Sequence, residues 1–114
     1  MENKREKGRQ YELLAAEYLK NKGYLIIEQN FLAKTGEIDL IAKDDNTLVF
    51  CEVKYRTTEA FGLPQEAVDY KKQLKIRKTA AYYLYKNGYP EEQQVRFDVI
   101  GILKDKINHI KDAF

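Results

Sequence analysis

Residues 36–56 read Gly36-Glu-Ile-Asp-Leu-Ile-Ala-Lys-Asp-Asp-Asn-Thr-Leu-Val-Phe-Cys-Glu-Val-Lys-Tyr-Arg56, two β-rich runs parted by a polar turn. The first run, Glu37 to Lys43, alternates. It predicts a strand with Ile38, Leu40 and Ala42 on one face and Glu37, Asp39 and Lys43 on the other. Asp44-Asp45-Asn46 has the residue types that close a hairpin, so Leu48 to Arg56 returns as the partner strand. That strand is apolar at its centre, as in a sheet covered on both faces, except at Glu52 and Lys54. Alternation puts those two on one face, roughly 6 to 7 Å apart along the strand. A hairpin centred between residues 45 and 46 also sets Asp39 opposite Glu52. Directly opposed side chains have Cβ atoms about 4.5–5.5 Å apart, and like charges there are destabilising.

The acid pair admits two readings. In one, Asp39, Glu52 and Lys54 are a solvated, salt-bridging strand face of little energetic weight. In the other, a hard divalent cation sits between the carboxylates, Mg²⁺ or Mn²⁺ being suited to oxygen donors. Such a cation polarises a phosphoryl oxygen and acidifies a bound water, while an adjacent ammonium stabilises developing charge. Asp39, Glu52 and Lys54 then form a phosphodiester-hydrolysis constellation. Ile41 and Phe50 share the charged face and weigh against its being fully exposed.

Outward from the hairpin, the remaining chain completes one domain spanning residues 1–114. Tyr11, Leu14, Ala15, Tyr18 and Leu19 recur at helical spacing between about Lys4 and Asn21, and Gly23 is the expected stop. Tyr24 to Gln29 reads as a strand and Ala33 to Gly36 as a turn. Pro64 suits a helix start, and a helix from about Gln65 to Lys86 is expected, ended by Asn87-Gly88 and Pro90. Its apolar half collects Tyr70, Leu74, Ile76, Ala80, Ala81, Tyr83 and Leu84. Val95 to Leu103 is a further strand, and Ile107 to Ile110 a short last one. The order is αβββαβ(β), a mixed α/β domain.

Composition narrows the class. With 44% hydrophobic and 33% charged residues the 114-residue chain is that of a soluble globular domain. The lone Cys51 excludes a disulfide framework and, with the lone His109, a Cys/His zinc site. No run reaches transmembrane length and the N-terminus is polar, so a cytoplasmic protein with no membrane association is expected. A net charge of +2 does not announce a nucleic-acid binder. However, Tyr70 to Asn87 carries no acid, and Lys71, Lys75 and Lys78 on it could follow a phosphate backbone, with Tyr82 available for stacking. A solvated lysine-rich helix face accounts for them equally well. Arg56 shares the face of Glu52 and Lys54 and could hold a phosphate bidentately, or a strand-end salt bridge. Arg96 and Asp98 read as a buried structural pair, and His109 as a surface histidine.

The runs Gly36-Glu-Ile-Asp-Leu-Ile-Ala42 and Leu48-Val-Phe-Cys-Glu-Val-Lys-Tyr-Arg56 resemble the core of the restriction-endonuclease-like PD-(D/E)xK superfamily. With Gly62-Leu-Pro64, Arg96-Phe-Asp-Val99 and Ala113-Phe114, the chain resembles, over nearly its whole length, the small bacterial YraN-like family. The resemblance implies a restriction-endonuclease-like core, a mixed central sheet flanked by helices. It further implies Asp39 and Glu52 as metal ligands, the Val53 carbonyl as a third, and Lys54 as the catalytic lysine. Lys7-Gly-Arg-Gln-Tyr-Glu12 is similar to the first helix of Holliday junction resolvases, which makes Glu12 a further ligand; a helix-dipole role fits Glu12 equally. Ile38 stands where the named motif has proline. Gln65 and Tyr70 are one residue too far apart for the glutamine–tyrosine motif of recombination nucleases, which leaves Gln65 a weak DNA-contacting candidate. The expected function is a Mg²⁺- or Mn²⁺-dependent endonuclease on DNA, including branched recombination or repair intermediates, with a homodimer as the fitting assembly. The alternative is a nucleic-acid-binding or partner-binding module that keeps the fold without cleavage.

Overall fold

A computed structural model describes residues 4–58, 63–64 and 68–114. In chain order these form α1 (Lys4–Asn21), β1 (Leu25–Ala33), β2 (Gly36–Asp44), β3 (Thr47–Arg56), α2 (Tyr70–Lys86), β4 (Val95–Leu103) and β5 (Lys106–Ile110). The five strands make one sheet in sequence order, antiparallel except for the parallel pair β3–β4, which α2 connects. A parallel pair requires a crossover of this kind, and the crossover puts a helix on a face of the sheet. The result is the mixed sheet with flanking helices that the pattern implies.

Two apolar layers follow. Ala15, Ala16 and Leu19 of α1 bury against Leu40, Ala42, Val49, Cys51, Ile100 and Ile102. On the other side Ile76, Ala80 and Tyr83 of α2 bury against Ile38, Ile41, Leu48, Phe50 and Phe97. Residues Leu48 to Val53 are buried without a break, as a central strand covered on both faces must be.

Several expectations are corrected. Ile38 joins the α2 layer with Phe31, its partner across β1, whereas Leu40 and Ala42 join the α1 layer. Strict alternation through β2 is therefore broken near Asp39, and every residue from Ile38 to Ala42 is buried. The irregularity coincides with Asn30, which faces this point from β1 with φ 56°. In α1, Leu14 points outward and Ala16 inward. Helix α2 begins at Tyr70 rather than near Gln65, because the Asp69 side chain accepts from the Lys72 N–H and caps it there. Its buried stripe is Ile76, Thr79, Ala80 and Tyr83, so Tyr70, Leu74 and Ala81 face out. Gln65 lies outside the described residues, as does Gly62.

The ends of the elements are tightly built. Gly23, at φ 92°, donates to the Lys20 carbonyl while Tyr24 donates to that of Leu19, a Schellman closure that also buries Tyr24 beside Leu19. Gly88 and Tyr89 close α2 with the same pair of bonds, to Tyr85 and Leu84. Gly36 has φ 149°, and a Cβ there would lie 3.3 Å from Thr79 Oγ1. Thr79 donates to the Lys75 carbonyl and shares a 2.7 Å bond with Thr35, so the β1–β2 turn is clamped onto the middle of α2.

His109 is not at the surface. Its Nε2 lies 2.7 Å from Asp98, its Nδ1 3.3 Å from the Tyr18 hydroxyl, and its side chain is almost fully buried. Asp98 also accepts Arg96 Nε and Nη2, each at 2.9 Å, and the Asp112 N–H at 3.0 Å. Arg96 in turn reaches Asp44 at 3.0 Å and Tyr24 at 2.7 Å. The Arg96–Asp98 pair expected from the sequence is thus the centre of a wider buried network.

Candidate functional site

The site is assembled where β2 and β3 part. The hairpin register is the expected one, Leu40 pairing with Cys51 and Asp44 with Thr47. One step beyond the Leu40–Cys51 pair, the ladder stops. Instead of a backbone carbonyl, Oδ2 of Asp39 accepts the Val53 N–H at 2.8 Å. The carboxylate therefore sits in the opening between the strands, buried, with Glu52 beside it. Val53 enters through its N–H, while its side chain belongs to the α1 layer.

Around Asp39 the acids converge. Glu12 of α1, Glu37 and Asp39 each present a carboxylate oxygen within 4.8 Å of the others. Glu12 stands one turn before Ala15 and Ala16 and two before Leu19 on the buried side of α1, whereas Glu17 is exposed. Glu52 is only 5% exposed. Its Oε1 lies 3.8 Å from Lys72 Nζ, and its Oε2, fully buried, has no partner among the described residues. A buried carboxylate oxygen without a partner costs free energy.

Electrostatics follow from that geometry. Burial, then the charge of Asp39 and a hydrogen bond with it, push the Glu52 carboxyl up to about 8, and Lys72 and Lys54 offset only part of this. Burial also raises Glu12, aided by Asp39 and Glu37 and opposed by Asn30 and Arg9. Glu37 is raised by burial and by Asp39, with Lys72 opposing. At neutral pH Glu52 therefore holds a proton that an ordinary carboxylate releases.

Of the other sequence candidates, Lys54 is half-buried on β3, its charge felt by Glu52. Arg56, at the end of β3, has a buried Nε without a partner among the described residues. Lys71, Lys75 and Lys78 are exposed on α2. Three residues that sequence reasoning passed over stand closer. Lys72 precedes Ile76 by one turn and so continues the buried stripe of α2 to the acids; extending that stripe backward would have found it. Arg5 and Arg9 line, with Gly8, Glu12, Asn30 and Glu37, an open cleft of about 520 Å³ beside the carboxylates. Their spacing from Glu12, seven and three residues, marks one helix face.

Among the described residues the donors here are carboxylate oxygens, those of Asp39 and Glu52 buried and one of them without a hydrogen-bond donor, a set that fits a hard cation such as Mg²⁺ or Mn²⁺ better than a soft one. No described helix is long and apolar enough to cross a membrane.

Comparison with known proteins agrees with the motif reading. The chain is 48% identical over 108 residues to a UPF0102 protein of Persephonella marina, covering 95% of this chain and 92% of that one. It is 50% identical over 111 residues to one of Thermodesulfovibrio yellowstonii, covering 96% of each. Against one of Lachnoclostridium phytofermentans it is 46% identical over 112 residues, covering 98% and 95%. A family model described as uncharacterised protein family UPF0102 matches residues 11–102, and the chain belongs to that family, the YraN-like family of the sequence motifs.

Proposed function

We propose that the chain is a divalent-cation-dependent phosphodiesterase that cuts DNA. The observation that carries this reading is the buried Glu52 Oε2, without a partner among the described residues, beside Asp39, whose carboxylate clusters with those of Glu12 and Glu37. Asp39 and Glu52 are the principal ligands, Glu12 and Glu37 supply further oxygens, and the Val53 carbonyl is the backbone donor that the resemblance implies. When bound, Mg²⁺ or Mn²⁺ supplies a polarised phosphoryl oxygen and an acidified water. The chain does the rest. Lys54 places a positive charge where the phosphorane develops negative charge, and Arg5 and Arg9 hold flanking phosphates in the adjoining cleft. Arg56, Lys71, Lys75 and Lys78 extend the basic surface along which the backbone runs. The resemblance to resolvases favours a branched substrate, and a second copy of the chain would match its two-fold symmetry.

The test is cleavage of a panel of branched and linear DNA by the wild type and by Asp39→Ala in Mg²⁺ or Mn²⁺. Cleavage that needs the metal and drops by roughly a hundredfold or more in Asp39→Ala supports the reading. Intact DNA throughout, with the metal unbound, leaves the module that binds without cutting.

A further inference from the structure

A second surface lies across the β1–β2 turn from the acids. Leu32 and Ala33 at the end of β1, Lys34 and Thr35 of the turn, and Tyr82 and Lys86 of α2 line an open cleft of about 690 Å³. Its features are those of a base-stacking platform. The Tyr82 ring runs near-parallel to that of Phe31, centroids 6.3 Å apart, and the residue remains 46% exposed, so ring surface is open to a ligand. Leu32, 74% exposed, offers an apolar wall, and Tyr85, 85% exposed, continues the aromatic surface along α2. The Lys86 ammonium lies 5.7 Å over the Phe31 ring, and Lys86 and Lys34 both line the cleft.

Charge selects the occupant. The lining holds two lysines, Lys34 and Lys86, and no acid, and α2 itself carries no acid along its length, so the cleft is positive. A polyanion with flat, apolar faces fits such a surface: an aromatic ring stacks any base, and lysines take the phosphates. A duplex keeps its bases stacked on each other and cannot offer one to Tyr82. Ten residues separate Tyr82 from Lys72, about 15 Å along the helix axis. At about 3.4 Å per stacked base, this is roughly four nucleotides.

We propose that this cleft binds single-stranded nucleic acid, an unpaired base stacking on Tyr82 against Leu32 while Lys34 and Lys86 hold the flanking phosphates. It deepens the nuclease reading, which it needs only for what becomes of the strand: the substrate then carries an unpaired segment about four nucleotides from the cut. Binding itself requires neither metal nor cleavage.

The experiment is fluorescence anisotropy in EDTA with a labelled oligothymidylate of about twelve nucleotides and a duplex of equal length. The proteins are the wild type, Tyr82→Ala, Tyr82→Phe and Lys86→Ala, each checked for folding by its thermal melt. Tyr82→Ala should weaken single-strand binding roughly tenfold and leave duplex binding unchanged, while Tyr82→Phe keeps wild-type affinity. Lys86→Ala should reduce the slope of log affinity against log salt by about 0.7. Single-strand binding that is absent, or indifferent to Tyr82→Ala, overturns the proposal and leaves the cleft to a protein partner. Equal losses for single strand and duplex overturn it as well, Tyr82 then being a prop for the turn. Repeating the titration in Asp39→Asn separates the two ideas, since stacking should survive there even when no metal binds and no DNA is cut.

Discussion

Asp98 and Glu52 are carboxylates on adjacent central strands, one residue out of step in the β3–β4 register, and the sheet treats them in opposite ways. Asp98 is wholly buried and fully engaged. It accepts two bonds from Arg96, one from His109 and one from the Asp112 backbone. Burial alone would raise its pKa, but the bonds from His109, Arg96 and Asp112 outweigh this and hold it below the ordinary value. Glu52 is nearly as buried but has, among the described residues, an ammonium at 3.8 Å, a neighbouring carboxylate and one oxygen with no donor, and its pKa rises to about 8. The first carboxylate completes a structure; the second leaves an opening for something positive. Buried acids are distinguished by what satisfies them, not by burial.

The comparison breaks most visibly at Asp98. Asp98→Ala leaves Arg96 and His109 without their acceptor, and the expected loss is about 3–5 kcal/mol in urea unfolding at neutral pH. A loss under about 1 kcal/mol would mean that the network is ornamental. Because the folded pKa of Asp98 is depressed, its contribution is present above the unfolded value of 3.8 and fades as pH falls through the lower folded value.

Glu52 should show the opposite sign. Its folded pKa lies above the unfolded value of 4.5, so the folded state holds a proton that the unfolded state has released. Stability contributed by this group is complete below pH 4.5 and is lost as pH rises towards 8. In EDTA, Glu52→Gln removes that loss and should stabilise the protein on the order of 2 kcal/mol at pH 8, with little change at pH 4. Urea midpoints of the two proteins across this range measure it; a Glu52→Gln protein less stable at pH 8 would show that the carboxylate is satisfied after all. The smallest effect belongs to Lys72, a partly exposed partner at 3.8 Å. Lys72→Met should cost less than about 1 kcal/mol at pH 8, and the same unfolding series would expose any larger debt.

Much of this was legible beforehand. The hairpin register follows from the position of a polar turn, and with it the approach of Asp39 to Glu52. Two covered sheet faces follow from the apolar centre of β3, and the end of α1 from Gly23. What escaped the sequence were consequences of three-dimensional satisfaction. Alternation could not reveal that Asp39 would turn into the gap to take the Val53 N–H, since that depends on the strands parting. His109 reads as a lone polar residue on a short edge strand until Asp98 and Tyr18 are seen to enclose it. Lys72 and Arg9 were visible as helix-face neighbours of the site, but a charge on a helix face is ordinarily solvated, and only the position of the acids distinguishes them from Lys71 or Lys78.

We propose the Asp39–Glu52 opening as a cation site. Its most direct measurement is isothermal titration of Mn²⁺ and of Mg²⁺ at pH 7 into the wild type, Asp39→Asn and Glu52→Gln, in buffers of different ionisation enthalpy. Saturable binding to the wild type with net proton release is expected, as the raised carboxyls give up protons to the metal, and its loss in both variants. Two folded variants that bind the ions as the wild type does, or a wild type that binds neither ion, would contradict it.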